Sequence, residues 1–383
     1  MTRTAAIVVV VGVIVCVAPI ARAQRGAAPP ARVTGSEDTP ALTAGWAALA
    51  AGDSGKASMV AAAVLVSHPR SAAAGALLVE AEIARGGSAA GLQAYERWLA
   101  DRRLEDGYLL RRVARAQLWE FSDVPEVKVD ALQHLASDGD ARARAILAGL
   151  MVKGDLASMR ALAKTGDEAA VNRLIETMKQ NPGSRSFFID ALIESRSPLA
   201  IAPLTGVLDD ANRPADVARA ADGLGKLAGT SAIPNLRKLL ADKTYPYPLV
   251  VAGALFRLSD GTGLPMLQKE LVSEASTIRA RVAEYMSAAP DQSWQGVVRG
   301  LVTDANPDNR LTAAKLIAPY ELELARQTFE ALLLDENPAI RQMAGIAIAE
   351  RTAVDFSTLR RLLRQAEAPI RVRTAGRVLE LSR

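Results

Sequence analysis

The side chains best suited to chemistry are scarce in this sequence: 383 residues carry two histidines and one cysteine. His68 sits beside Pro69, and His134 lies in the run Asp130-Ala131-Leu132-Gln133-His134-Leu135. Neither has a second His or Cys at metal-ligand spacing, so no zinc site is expected. The carboxylates of Asp209-Asp210 and of Asp138 and Asp140 could form an acid/base pair. They fall among turn residues, where a carboxylate caps the following helix. There is no glycine-rich phosphate loop after a strand, no Gly-x-Ser-x-Gly elbow and no Cys-x-x-Cys-His haem site. No catalytic, cofactor-binding or metal-binding residue is therefore assigned, and no enzyme activity is expected.

The arginines are regular instead. Arg279, Arg310, Arg341 and Arg371 follow one another at gaps of 31, 31 and 30, and Ala283, Ala314, Gly345 and Ala375 sit four residues after each. Pro203, Pro234 and Pro265 are also 31 apart. A period near 31 with helical patterning inside it predicts stacked helical hairpins rather than one globular core. The composition agrees: hydrophobics are 50% but aromatics only 4%, so the apolar content is mostly Ala, Leu, Val and Ile. Small and aliphatic side chains suit close helix contacts, and Ala and Leu favour the helix. No sustained alternation of Val, Ile or Thr predicts a sheet. The expected class is all-α, an α-solenoid of antiparallel hairpins.

Taken in order, residues 1–23 read as an export signal. Arg3 opens it, Ala5 to Ala18 form an apolar stretch, Pro19 breaks it, and Ala21-Arg22-Ala23 gives a small-x-small cleavage pattern. The apolar stretch of 14 residues is short for a bilayer span of about 20. Cleavage would remove Cys16, the only cysteine, and leave stability to packing alone. It would also lower the formal charge from +4 to about +2 by removing Arg3 and Arg22, too little to point to nucleic acid. The expected location is periplasmic or secreted. Residues 24–39, rich in Ala, Pro, Gly and Arg, read as a flexible linker.

In residues 40–103, the turns Gly52-Asp53 and Gly86-Gly87 are 34 apart, with Ala57 matching Gly91 and Ala61 matching Tyr95. Pro69 closes the first unit. These residues resemble tetratricopeptide repeats, departing at Ala41, where a large aromatic is usual. Glu105 to Glu120 reads as an amphipathic helix with Leu109, Leu110, Val113, Ala116 and Leu118 as its apolar set. The rest of 104–196 reads as irregular helical pairs divided by Gly-Asp breaks, where Gly ends one helix left-handed and Asp caps the next. Residues 197–383 resemble HEAT repeats. The likeness rests on the early proline of the first helix and the pairs Leu239-Leu240, Leu332-Leu333 and Leu362-Leu363 near its end. A turn Asp and an arginine early in the second helix complete it. Ala218 and Leu249 stand where that arginine would be, and Gly296 and Gln327 replace the proline. The resemblance implies a curved solenoid whose concave side holds protein partners, with the arginine pairing to the turn Asp of its own or the next repeat.

Breaks in the repeat are the candidate contact points. Lys243-Thr244-Tyr245-Pro246-Tyr247-Pro248 puts Tyr245 and Tyr247 in a proline-stiffened turn, either exposed for a partner or folded onto the next repeat. From Leu359 to Arg383 the charge is about +5 over 25 residues. Arg360, Arg361, Arg364, Arg373 and Arg377 there would meet an acidic protein or, weakly, anionic lipid. The expected function is a non-catalytic scaffold for a protein partner, without cofactor. Peripheral membrane association and a HEAT-like lyase or enzyme-accessory role are the alternatives.

Overall fold

In the computed structural model, residues 39–383 are described except for 101, 103 and 289–291. The expected export signal, Cys16 and all but the last residue of the expected linker lie outside the described residues. Twenty-one α-helices and no strand are found among the described residues. Helix ends follow from local chemistry. Gly52, Gly139, Gly154 and Gly166 take φ between +85° and +90°, the left-handed region that glycine enters without Cβ strain. Asp53, Asp140, Asp155 and Asp167 then accept hydrogen bonds from the first-turn amides of the next helices. Asn306 and Asn337 do the same ahead of Pro307 and Pro338, where the missing N–H costs nothing.

The first three helices form an arm. Helices α1 (Thr39–Ala50), α2 (Ser54–Ser67) and α3 (Ala72–Leu99) pack as successive hairpins. Non-helical backbone at Gly86 and Gly87 divides α3 into two. Its own small core contains Leu42, Ala57, Ala61, Val64 and Leu77.

The remaining helices come in nine pairs. They are α4 (Gly107–Phe121) with α5 (Lys128–Ser137), α6 (Ala141–Val152) with α7 (Leu156–Lys164), and α8 (Glu168–Gln180) with α9 (Arg185–Ser195). Next come α10 (Ile201–Val207) with α11 (Pro214–Lys226), α12 (Ile233–Ala241) with α13 (Pro248–Arg257), and α14 (Leu264–Glu270) with α15 (Ser276–Met286). Last are α16 (Gln295–Leu301) with α17 (Pro307–Ile317), α18 (Leu322–Leu333) with α19 (Pro338–Ala349), and α20 (Phe356–Leu362) with α21 (Ala368–Leu381). The second helix of each pair packs on the second helix of the next, from α5 through to α21. Helix α21 then packs against α5 and α4.

The array is therefore a closed ring, not the open curve expected from its repeats. Helix α4 stands against α21 as α6 stands against α5. One continuous apolar core runs through the whole ring and into α3 of the arm, from Ala76 to Leu379.

The repeated arginines hold the register. Arg310 donates to the carbonyls of Asp304 and Ala305, and Arg341 to those of Asp335 and Glu336. Each also reaches an acid of the following repeat, Asp335 at 3.6 Å and Glu367 at 2.6 Å. Arg371 has α4 as its next neighbour and stacks on Phe121 at that helix's end, 4.7 Å from the ring centre. At the seam an aromatic ring thus replaces the acid that the other arginines meet.

Close approach at the seam depends on two glycines. A Cβ on Gly376 would lie 2.3 Å from Nδ1 of His134, and one on Gly107 would lie 2.6 Å from Phe356. Polar contacts bridge the same gap. Arg111 donates to both Asp138 oxygens at 2.6 Å and to the Leu379 carbonyl at 2.8 Å. Arg383 donates to the Ser137 carbonyl at 2.6 Å, and Gln117 to that of Leu363 at 3.3 Å.

Candidate binding surfaces

Closure turns the concave side into a central cavity of about 560 Å³ walled by α5, α7, α9, α19 and α21. His134, Lys164, Glu194, Arg196, Glu350 and Arg373 are among its lining residues. His134 is only 6% exposed. Burial first, and then the nearby Arg373 and Lys164 cations, push its pKa down to about 3. The imidazole is neutral at physiological pH. Burial disfavours the Glu194 carboxylate, but Arg160 (2.8 Å) and Lys164 (3.6 Å) hold it below the usual range. Glu350 pairs with Arg373 at 2.9 Å and Glu380 with Arg377 at 2.9 Å. A general acid needs a carboxyl that keeps its proton near neutral pH; Glu194 is tuned the opposite way. The Glu194 and Glu350 pairs tie neighbouring helices together, and the Glu380 pair lies within α21.

The candidate residues taken from the sequence separate. Tyr245 is buried, donates to the Pro214 carbonyl at 3.1 Å, and meets Tyr247 edge-on. Burial and the neighbouring Tyr247 push its pKa up to about 12. Of the two rings only Tyr247, 41% exposed, is open to a partner. The basic end is also not a free surface. Arg360 pairs with Glu96 at 3.2 Å and Glu105 at 2.9 Å, and Arg364 pairs with Glu96. Arg361 lies 3.6 Å from Glu330, Arg373 binds Glu350, and Arg377 binds Glu380. All five arginines face carboxylates of this chain, two of them across the seam. The excess of charge in the last 25 residues is thus met by carboxylates from elsewhere in the chain, while Arg361 and Arg364 keep about half of their side-chain surface exposed.

A different surface collects what those candidates lack. Where the arm meets the ring, Glu80 and one face of α4 line a shallow groove of about 390 Å³. Tyr108, Arg111, Arg112, Arg115, Ala116 and Trp119 recur there at helical spacing. Arg112 lies over the Tyr108 ring at 4.8 Å and the Trp46 ring at 5.7 Å, and it pairs with Glu80 at 2.6 Å. Arg142 lies over Trp119 at 4.5 Å. The apolar set expected of this helix holds except at Ala116, which lies on the groove side and is half-buried, while Ala114 is buried in the core. The opposite stripe carries equal periodicity and was legible as three arginines between two aromatics.

The repeat family described as PBS lyase HEAT-like repeat matches residues 217–242, which cover most of α11 and all of α12. These are HEAT-like repeats. The chain also shows similarity to the structure of human deoxyhypusine hydroxylase in complex with glycerol. That similarity is loose, with 18% identity and a TM-score of 0.30 over 68% of this chain and 98% of the other. No curated protein matches the chain.

Proposed function

We propose that the protein is an exported, non-catalytic scaffold whose closed HEAT-like ring is a rigid platform for binding a protein partner. The observation that carries this reading is the closure itself. It commits the concave side and the basic end to internal pairs and leaves the arm–ring groove as an open, aromatic-rich surface. Export rests on the first 23 residues of the sequence. Among the described residues no helix is long and apolar enough to cross a membrane. An enzyme-accessory role is the second reading, favoured by the description of the matching repeat family.

Affinity capture by the mature full-length protein from cell-envelope extract, followed by mass spectrometry, tests the scaffold. A discrete protein retained in proportion to the folded ring is the expected result. Retention of lipid alone, or of nothing, would overturn it.

A further inference from the structure

We infer that the groove between arm and ring binds an acidic, extended segment of a protein partner; this rests on the scaffold reading and specifies its ligand chemistry. The groove is built on α4, where Trp119 lies eleven positions after Tyr108, a stripe of about 16 Å. That length matches about five residues of extended chain.

Five arginines gather on or beside it, at 111, 112, 115, 142 and 383, against the three carboxylates of Glu80, Asp138 and Asp140. The surplus is positive, so the complementary ligand is anionic. Availability differs among the cations. Arg111 is held by the almost fully buried Asp138 and by the Leu379 carbonyl, so it belongs to the seam. Arg112 keeps a buried Nε without a hydrogen-bond partner. Arg115 is partly exposed beside Asp140. Arg142 is exposed and rests on Trp119, and among the described residues its guanidinium has no carboxylate partner.

An arginine lying on an aromatic face is weakly hydrated and keeps its planar fork free, so a carboxylate can approach without stripping much water. Tyr108, 60% exposed, and Trp119 offer apolar faces between the cations. A segment alternating Asp or Glu with aromatic or aliphatic residues would satisfy both. Direct recognition of nucleic acid would need a far larger basic field.

The test uses the mature full chain and fluorescence anisotropy of a labelled synthetic peptide in which glutamates alternate with Phe and Leu. A peptide with lysines in place of glutamates serves as the control. Saturable binding of the acidic peptide is expected, weakening roughly tenfold between low and physiological salt. Arg142→Glu and Tyr108→Ala should each weaken it about tenfold, a loss of about 1.4 kcal/mol. Both sites are exposed, and circular dichroism confirms that the fold is kept. Arg326→Glu, on α18 away from the groove, should leave binding unchanged.

Equal binding of the lysine peptide, or insensitivity to Arg142→Glu, would overturn the proposal. So would a stronger response to phosphatidylglycerol vesicles or to a single-stranded oligonucleotide. If the acidic peptide fails while envelope capture still retains a protein, this inference falls and the scaffold stands. If both fail, the scaffold falls with it.

Discussion

Arm and ring are built from the same unit, a short helical hairpin with a capped turn, yet they end differently. In the arm, α1 packs mainly on α2 and α3 among the described residues, and the core beneath it is a small cluster of mainly alanines and aliphatics. In the ring every pair has two neighbours, because α21 returns to α4 and α5. A linear repeat array frays from its ends, since terminal units make only one interface. The ring has removed that weakness for nine pairs and left it to the arm. The outer hairpin of α1 and α2 should therefore open and exchange independently, while the ring should unfold as one unit together with the part of α3 that shares its core.

The sharpest way to break this contrast is at the seam. Gly376→Leu forces a side chain into the space occupied by His134. It should cost about 3 kcal/mol or more and enlarge the radius of gyration. Chemical denaturation and solution scattering would show both, and a variant with unchanged stability and size would mean that the ends do not meet.

Acid is the next lever. The folded pKa of His134, about 3, lies below the value near 6.5 of an unfolded histidine. Protons bind the unfolded chain preferentially, so His134's contribution to stability is full above pH 6.5 and declines as pH falls towards 3. The loss should reach about 2 kcal/mol at pH 5, before most carboxylates titrate. His134→Gln should flatten the dependence between pH 6.5 and 5, and an unaltered slope would place the cause elsewhere.

Within the arm the effect should be smaller and local. Asp53→Ala removes the cap on the Lys56 amide and should cost about 1 kcal/mol. Hydrogen exchange should quicken in α1 and α2 only. Spread of that change into α9 or α13 would show arm and ring to be one cooperative body.

How much of this was legible follows from the range of each interaction. The helix caps, the Gly-Asp turns and the arginine period are written within a few residues, and the structure reproduces them. Closure is not local. Arg364 and Glu96 are 268 positions apart, and nothing near Arg364 signals that its partner lies in the arm. The same distance made the last 25 residues look like a free basic surface. Tyr245 stood out because aromatics are rare in this chain, but rarity does not reveal orientation. Its burial follows from the carbonyl of Pro214, one repeat earlier. The groove is hidden in the sequence for another reason: arginines and aromatics on the outer face of α4 look like any solvated helix face until Glu80 of the arm is packed beside them.

The meeting of α4 with α21 also sets an order of events in time. Helix α4 is made early, but the surface that covers it arrives only with the final residues, after more than 240 others have been synthesised. Closing so long a loop is entropically costly, and contacts this distant in sequence slow folding. Until the last hairpin emerges, one flank of the first pair stays bare and open to misassociation. The packing of α21 on α4 is thus the step that commits an open array of hairpins to a closed shape.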